Sequence, residues 1–404
     1  METRPDSYHF TESSAPATGA ELSGFNSLII GYDGKRAANN TTGLGNYSRW
    51  LISVLAKNFP ANKYLVYTNR RSDNDAVTRF LAQHNIVLKL PGSKSLFWRS
   101  FGIIRDLIRD RVQVFHGLSH EIPFGINKTR IRTVVTIHDL IFLRFPEWYK
   151  PVDRLIYKLK SRYACQHADK IIAISERTKA DIVSFYHVDP SRVEVIYQSC
   201  DPVFKNRLKE SHLSAIRSRY QLPARYILNV GTIETRKNLL LAVEALPAID
   251  ADVHLVVVGK KTTYFKEVEA AVTRLRLSSR VHFLPRVPFS DLPGIYQAAE
   301  LFVYPSRYEG FGIPLVEALH SEIPVVAATG SCLEEAGGPE SIYVSPDDPQ
   351  ALAAAVNKIV ANEDIRQQMV AAGAAYVQRF EDDLLASQLM NCYLNMSDHA
   401  NTRD

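Results

Sequence analysis

PSRYEGFGIPLVEALHSEIPVV, Pro305 to Val326, is the stretch on which the reading of this chain turns. It follows LFVYP from Leu301 and runs into IPVVAA from Ile323. Short apolar runs of this β-branched and aromatic kind read as buried strands. Between them, Pro314 suits the first turn of a helix, where its missing N–H is not needed. The string is therefore strand, glycine turn, helix and strand, the repeating unit of a parallel sheet covered by helices. Ligands of such sheets lie beyond the carboxyl ends of the strands. Glu309, Gly310, Phe311, Gly312 and Ile313 fall there, with Glu317 eight residues after Glu309 and one to two turns into the helix.

Outward from this unit the same alternation continues. YILNVG at Tyr226, VHLVVVG at Val253, RVHFL at Arg280 and SIYV at Ser341 are further strands of a second series. SLIIGY at Ser27, YLVYT at Tyr64, TVVTI at Thr133, KIIAI at Lys170 and RVEVIY at Arg192 form a first, with helical spacing at Tyr47–Leu55, Leu96–Ile108 and Leu155–Ala168. The pattern pauses over the polar stretch from Cys200 to Arg225. The fold class is α/β, with a loose tail over 1–24, a first domain over 25–200, a linker over 201–224 and a second domain over 225–375. A C-terminal helical segment over 376–404 is expected to pack back on the first domain. The length of 404 residues suits two or three domains of about 150 residues.

Forty-eight Lys/Arg against 43 Asp/Glu give a net charge of +5, too small for a dedicated nucleic-acid binder, so no nucleic acid is expected as a partner. The excess is local: residues 91–170 hold fifteen Lys/Arg and seven Asp/Glu. LFWRSFGIIRDLIRDR from Leu96 carries Arg99, Arg105, Arg109 and Arg111, and Arg154, Lys158 and Arg162 recur at i, i+4. Such a stripe fits either peripheral contact with an anionic membrane or a solvated surface over a buried face. Four cysteines lie far apart without a CxxC pair, against a zinc site or a disulfide framework. No signal peptide and no run of about 18 apolar residues occurs, so a cytoplasmic chain is expected.

The strand-end loops supply the chemistry. GTIETRKN, Gly231 to Asn238, sets Arg236 beside Lys237, a fork and an ammonium suited to a pyrophosphate. TTGLGNY places Gly43 and Gly45 before a helix starting near Tyr47, where amides approach a phosphate or simply make a turn. TVVTI ends in His138 and Asp139, a position open to function or to plain hydrogen bonding. Glu309 and Glu317, each able to accept two hydroxyl donors, suit a sugar on one side and a ribose on the other. Asp73-Asn74-Asp75 reads as a surface helix start rather than a metal site.

Together, the Glu309-to-Glu317 string, the GTIETRKN turn, His138-Asp139 and the GLG loop resemble the retaining glycosyltransferases of family GT4, within a branch like the bacterial O-antigen and exopolysaccharide mannosyltransferases. The resemblance covers roughly residues 27 to 390 and implies the GT-B fold, two Rossmann-like domains facing a central cleft. It implies Glu309 at hydroxyls of a donor sugar, Glu317 at the ribose and Arg236 with Lys237 at the diphosphate. Amides of Gly310, Phe311 and Gly312 would face sugar and phosphate, His138 the sugar near the reacting carbon, and Gly45 the diphosphate or acceptor. Gly43, Gly231, Thr232, Gly259, Arg286 and Ile313 complete the expected nucleotide-sugar pocket. Pro285-Arg286 and Ser199-Cys200-Asp201 depart from the family pattern and leave the base open.

The implied activity is transfer of a hexose, foremost mannose from GDP-mannose, to a glycan or lipid-linked glycan in bacterial surface polysaccharide synthesis. No metal and no cofactor beyond the nucleotide-sugar co-substrate is implied. A UDP-sugar donor, a sugar-nucleotide epimerase and a non-catalytic glycan-binding protein are the alternatives. A dehydrogenase would need a tight glycine turn directly after the first strand, which is not there.

Overall fold

The computed structural model describes residues 27–40, 42–92, 97–284 and 286–396. The tail over 1–24, Pro285 and Leu96 lie outside the described residues. Among the described residues, β1 (Ile29–Asp33), β2 (Lys63–Tyr67), β3 (Ile86–Lys89), β4 (Val114–Gly117), β5 (Arg132–Ile137), β6 (Lys170–Ala173) and β7 (Val193–Val195) form one parallel sheet in the order β3-β2-β1-β4-β5-β6-β7. A second sheet is built from β8 (Arg225–Val230), β9 (Val253–Val258), β10 (Val281–Leu284), β11 (Leu301–Tyr304), β12 (Val325–Ala328) and β13 (Ile342–Val344), ordered β10-β9-β8-β11-β12-β13. That second order is the doubly wound Rossmann arrangement, and the first follows the same rule with one strand more. Both sheets reverse direction of winding beside their first strand, between β1 and β4 and between β8 and β11. The α/β, two-domain reading of the sequence holds.

The inner strands β8, β9, β11 and β12 of the second sheet are largely apolar and buried on both sides because helices cover both faces. In β8, Ile227 faces one core with Leu255 and Val303, whereas Tyr226 and Leu228 face the other with Val256, Phe302 and Tyr304. This second core continues through Phe311, Phe380 and Tyr393 to Tyr32, Leu51 and Tyr64 of the first sheet's layer. One apolar core thus joins the two domains.

The C-terminal segment makes that join. The Asp382–Leu394 helix lies on the Gly43–Asn58 helix, where Trp50 Nε1 donates to Asp382 Oδ1 at 2.9 Å. The stretch 201–224 carries its own helix, Glu210–Tyr220, which packs against Leu292–Gln297 of the second domain. Asn74 caps the Asp75–Leu81 helix by accepting from the Val77 amide at 2.9 Å, as the surface-helix reading of Asp73-Asn74-Asp75 expects.

Two local expectations are corrected. Gly43 and Gly45 do not precede a helix near Tyr47; the helix begins at Gly43 after the Thr42 cap, so both glycines lie in its first turn. Gly45 is there for packing, since a Cβ on it would sit 1.9 Å from the Asn40 carbonyl oxygen. Arg99 is not part of an exposed basic stripe: it is largely buried, paired with Asp33 at 3.0 Å and with Glu121. The segment around it is a π-helical turn, Trp98–Gly102, continuing into the Ile103–Arg109 helix.

Candidate active site

At the winding reversal of the second sheet, the turn after β8 and the loop after β11 are fastened into one unit. Gly231 has φ +153°, and a Cβ on Gly259 at the end of β9 would stand 1.8 Å from its carbonyl oxygen, so these backbones meet only through glycine. Asn238, in the left-handed region at φ 55°, closes the turn, and its Nδ2 donates to Pro305 O at 3.1 Å and Pro346 O at 2.8 Å. The Arg307 amide donates to Arg236 O at 2.9 Å across the same gap.

This fastening brings Arg236, Lys237 and Glu309 together. Glu309 accepts from Lys237 Nζ on Oε1 and pairs with Arg236 Nη1 on Oε2, both at 2.6 Å. Ser306 Oγ donates to the same Oε1 at 2.6 Å and Tyr304 OH at 3.1 Å, while Lys237 also donates to the Tyr304 hydroxyl. Arg236 Nη2 turns to Glu234 at 2.8 Å. Burial by itself pushes the Glu309 carboxyl up; Lys237 and Arg236 overcome it and bring it down to about 2. The arginine responds oppositely: burial works against its charge, and Glu309 still holds it above the ordinary value. Glu309 is thus a fixed carboxylate acting as counter-ion to two cations.

Beyond it, Gly312 at φ +129° caps the Ile313–His320 helix, whose opening amides have no intrahelical acceptor. Phe311 places its ring in the core, stacked on Tyr197 at 5.5 Å, so only its backbone is free to face a ligand. Glu317, on that helix, accepts from Tyr296 OH at 2.9 Å. Burial raises its carboxyl to about 7, Tyr296 opposing the shift and Asp201 adding to it. The two glutamates eight residues apart therefore sit in opposite electrostatic settings.

The first domain presents His138 at the end of β5. Its Nε2 donates to Leu118 O at 2.9 Å, which leaves Nδ1 as the bare acceptor, and burial followed by the neighbouring His120 pushes its pKa down to about 3. The Tyr47 ring stands edge-on to it at 4.6 Å, held by Thr136 at 3.1 Å. Thr136 bonds His116 at 2.8 Å, and His116 bonds Tyr393 of the C-terminal helix at 2.7 Å, a buried polar chain beneath the site. The first turn holding Gly43 and Gly45 adjoins His138 through Tyr47.

The two halves touch at the glycine string. A Cβ on Gly310 would fall 2.1 Å from His138 O, and Gly310 O accepts from Ser175 Oγ at 2.7 Å. Glu335 of the second domain accepts from the amides of Glu176 at 2.6 Å and Arg177 at 3.0 Å, which open a helix of the first domain. Tyr308 OH donates to Asp181 at 2.6 Å beside them. Of the other expected residues, Gly231 and Gly259 shape the turn after β8, Thr232 is half-buried in that turn, Ile313 is half-buried at the start of the Ile313–His320 helix, and Arg286 stands exposed past the edge strand β10.

Two family models tile the chain: Glycosyltransferase Family 4 over residues 50–204 and Glycosyl transferases group 1 over 216–376. The chain belongs to glycosyltransferase family 4. The enzyme is 26% identical over 375 residues to the O-antigen chain mannosyltransferase B of Escherichia coli, spanning 87% of this chain and 96% of that one. It is 31% identical over 249 residues to a D-inositol 3-phosphate glycosyltransferase of Salinispora tropica, 56% of this chain and 51% of that one. Its fold matches that of Anabaena HepE, solved with UDP and glucose, at TM-score 0.73 and 19% identity, over 91% of this chain and 100% of that one. The GT-B architecture implied by the sequence is therefore its fold.

Four residues that hold the candidate site together had little or no sequence signal. Tyr304 and Ser306 lie within the decisive string, but nothing in their spacing says that they hold Glu309. Tyr296 and Glu335 come from distant turns and meet the site only through the folded sheet. The Glu335 contact generates a prediction. Glu335→Ala leaves two helix-opening amides without their acceptor, so the ligand-free enzyme is expected to open and its radius of gyration in X-ray scattering to rise. An unchanged scattering curve would show that the latch is not what keeps the halves together.

Proposed function

We propose that the enzyme transfers a mannosyl group from GDP-mannose to a hydroxyl of a glycan or lipid-linked glycan in bacterial surface polysaccharide synthesis, with retention of the anomeric configuration and without a metal in the step. The observation that carries this reading is the Arg236–Lys237–Glu309 cluster at the winding reversal of the second sheet. Mannose is favoured by the relatives named as O-antigen mannosyltransferases.

In this reading the donor diphosphate replaces Glu309 as counter-ion to Arg236 and Lys237. The released carboxylate then accepts hydroxyls of the hexose. As the bond from the anomeric carbon to the diphosphate oxygen breaks, charge builds on the leaving group, and both cations with the amides opening the Ile313–His320 helix stabilise it. The acceptor oxygen bonds to the anomeric carbon from the same face and its proton passes to the departing phosphate, so configuration is kept. His138, neutral with Nδ1 unprotonated, accepts from a sugar hydroxyl rather than taking part as an acid. Closure of the two halves keeps water from the activated sugar.

Nucleoside diphosphate release from GDP-mannose in the presence of acceptor, measured in EDTA, is expected to proceed in the native enzyme. It should fall about a hundred- to a thousandfold in Lys237→Ala and in Glu309→Ala. Release that needs an added divalent ion, or variants with native turnover, would contradict the assigned roles.

Glu317 gives a pH dependence. Its carboxyl holds a proton below about pH 7 and must lose it to accept two ribose hydroxyls. Donor binding should release a proton, and affinity should rise with pH, changing about tenfold per unit below that pKa and levelling off above it. Titration calorimetry in buffers of different ionisation enthalpy checks this; affinity independent of pH would remove Glu317 from the ribose site.

A further inference from the structure

The Pro151–His167 helix turns its apolar stripe outward. Val152, Leu155, Ile156 and Leu159 follow the i, i+3, i+4, i+7 spacing of one helix face, and they are 68%, 56%, 44% and 59% exposed. The opposite face, with Ser161, Ala164 and Cys165, is the one buried on the sheet. A surface helix ordinarily presents its apolar side to the core, so this stripe is unexplained by the fold. Arg154, Lys158 and Arg162 run along one edge of the stripe, with Lys150 at its start and Asp153 the one acid within the helix. Among the described residues no ion pair is formed by Lys150, Arg154, Lys158 or Arg162, whereas Lys160 on the other flank is spent on Glu121 at 2.8 Å.

The surface extends beyond the helix. Phe101, also exposed, stacks on Phe124 at 5.3 Å, and Phe124 rests on Tyr163 of the helix at 4.5 Å. On the cationic side a groove of about 440 Å³ is lined by Lys158, Arg162 and His187 with Leu143, Phe185 and Tyr186. Just before the helix, Phe145 packs on Tyr308 at 5.2 Å, so the helix starts at the mouth between the two domains.

We propose that this face lies on an anionic lipid bilayer, with Val152, Leu155, Ile156 and Leu159 in the acyl boundary and Lys158 and Arg162 on headgroup phosphates. Apolar insertion and attraction of cations by anionic headgroups are the two terms that hold an amphipathic helix at such an interface. A second copy of the chain is disfavoured as occupant because a two-fold contact would bring the same unpaired cations towards one another. The bilayer alignment goes beyond the transfer reaction and would present a lipid-linked acceptor beside the Tyr308 loop.

The full-length enzyme is sedimented with phosphatidylcholine vesicles with and without phosphatidylglycerol, alongside Leu155→Ser/Leu159→Ser and Lys158→Glu/Arg162→Glu variants. The native enzyme should pellet only with the anionic vesicles, and each variant should partition less by roughly tenfold or more. Donor hydrolysis in solution should be unchanged in both, since none of these residues belongs to the donor site. No vesicle binding, equal binding to neutral vesicles, or native binding by both variants overturns the proposal. So does a native dimer that Leu155→Ser/Leu159→Ser dissociates while vesicle binding persists. A wrong donor assignment would leave the sedimentation result intact, so the two readings fail separately.

Discussion

A carboxylate held between two cations at the carboxyl end of the second sheet is the constraint around which the rest of the site is arranged. Glu309, Arg236 and Lys237 are each largely out of water. Removing one partner of such a set leaves charge uncompensated and costs about 3–5 kcal/mol. The backbone accordingly fixes them from several directions: Gly259 lets the turn after β8 fold down, Asn238 pins it to Pro305 and Pro346, and Ser306 with Tyr304 aims the carboxylate. A ligand that brings its own negative charge can exchange with Glu309 at little electrostatic cost, because the cations are already desolvated and oriented. That exchange is the physical content of the proposed donor site.

The second constraint is the closeness of the halves. Gly310 against the His138 carbonyl allows no side chain, Ser175 bonds the Gly310 carbonyl, and Glu335 and Tyr308 hold the opening amides and Asp181 of the Glu176–Tyr186 helix. The apolar core is continuous through the C-terminal helix, so the polar contacts near Gly310 are the part of the interface that can exchange partners without exposing a core. The His116–Thr136–Tyr47 chain, anchored by Tyr393 of that helix, ties the orientation of the His138 wall to the same segment.

Much of the fold was legible in the sequence because buried parallel strands are short, continuous and apolar: LFVYP, VHLVVVG and TVVTI became β11, β9 and β5. VFHG, now β4, escaped because four residues with a histidine and a glycine carry almost no strand pattern, although His116 is fully buried there. The closeness of Arg236 and Lys237 to Glu309 follows from the order of β8 beside β11, which local pattern does not encode. The first-turn position of Gly43 and Gly45 was hidden because glycine argues against a helix; the close approach of Asn40 explains Gly45, and nothing packed around Gly43 calls for a glycine. Arg99 looked like a surface cation since its partners, Asp33 and Glu121, arrive from other strand ends.

The most direct measurement is a crystal structure of the enzyme with its nucleoside diphosphate-sugar. The diphosphate is expected within hydrogen-bonding distance of Arg236 and Lys237, with Glu309 moved from those cations to the hexose hydroxyls and the ribose on Glu317. A diphosphate bound elsewhere, with the Glu309 pairs to Arg236 and Lys237 unbroken, would contradict the proposed donor site.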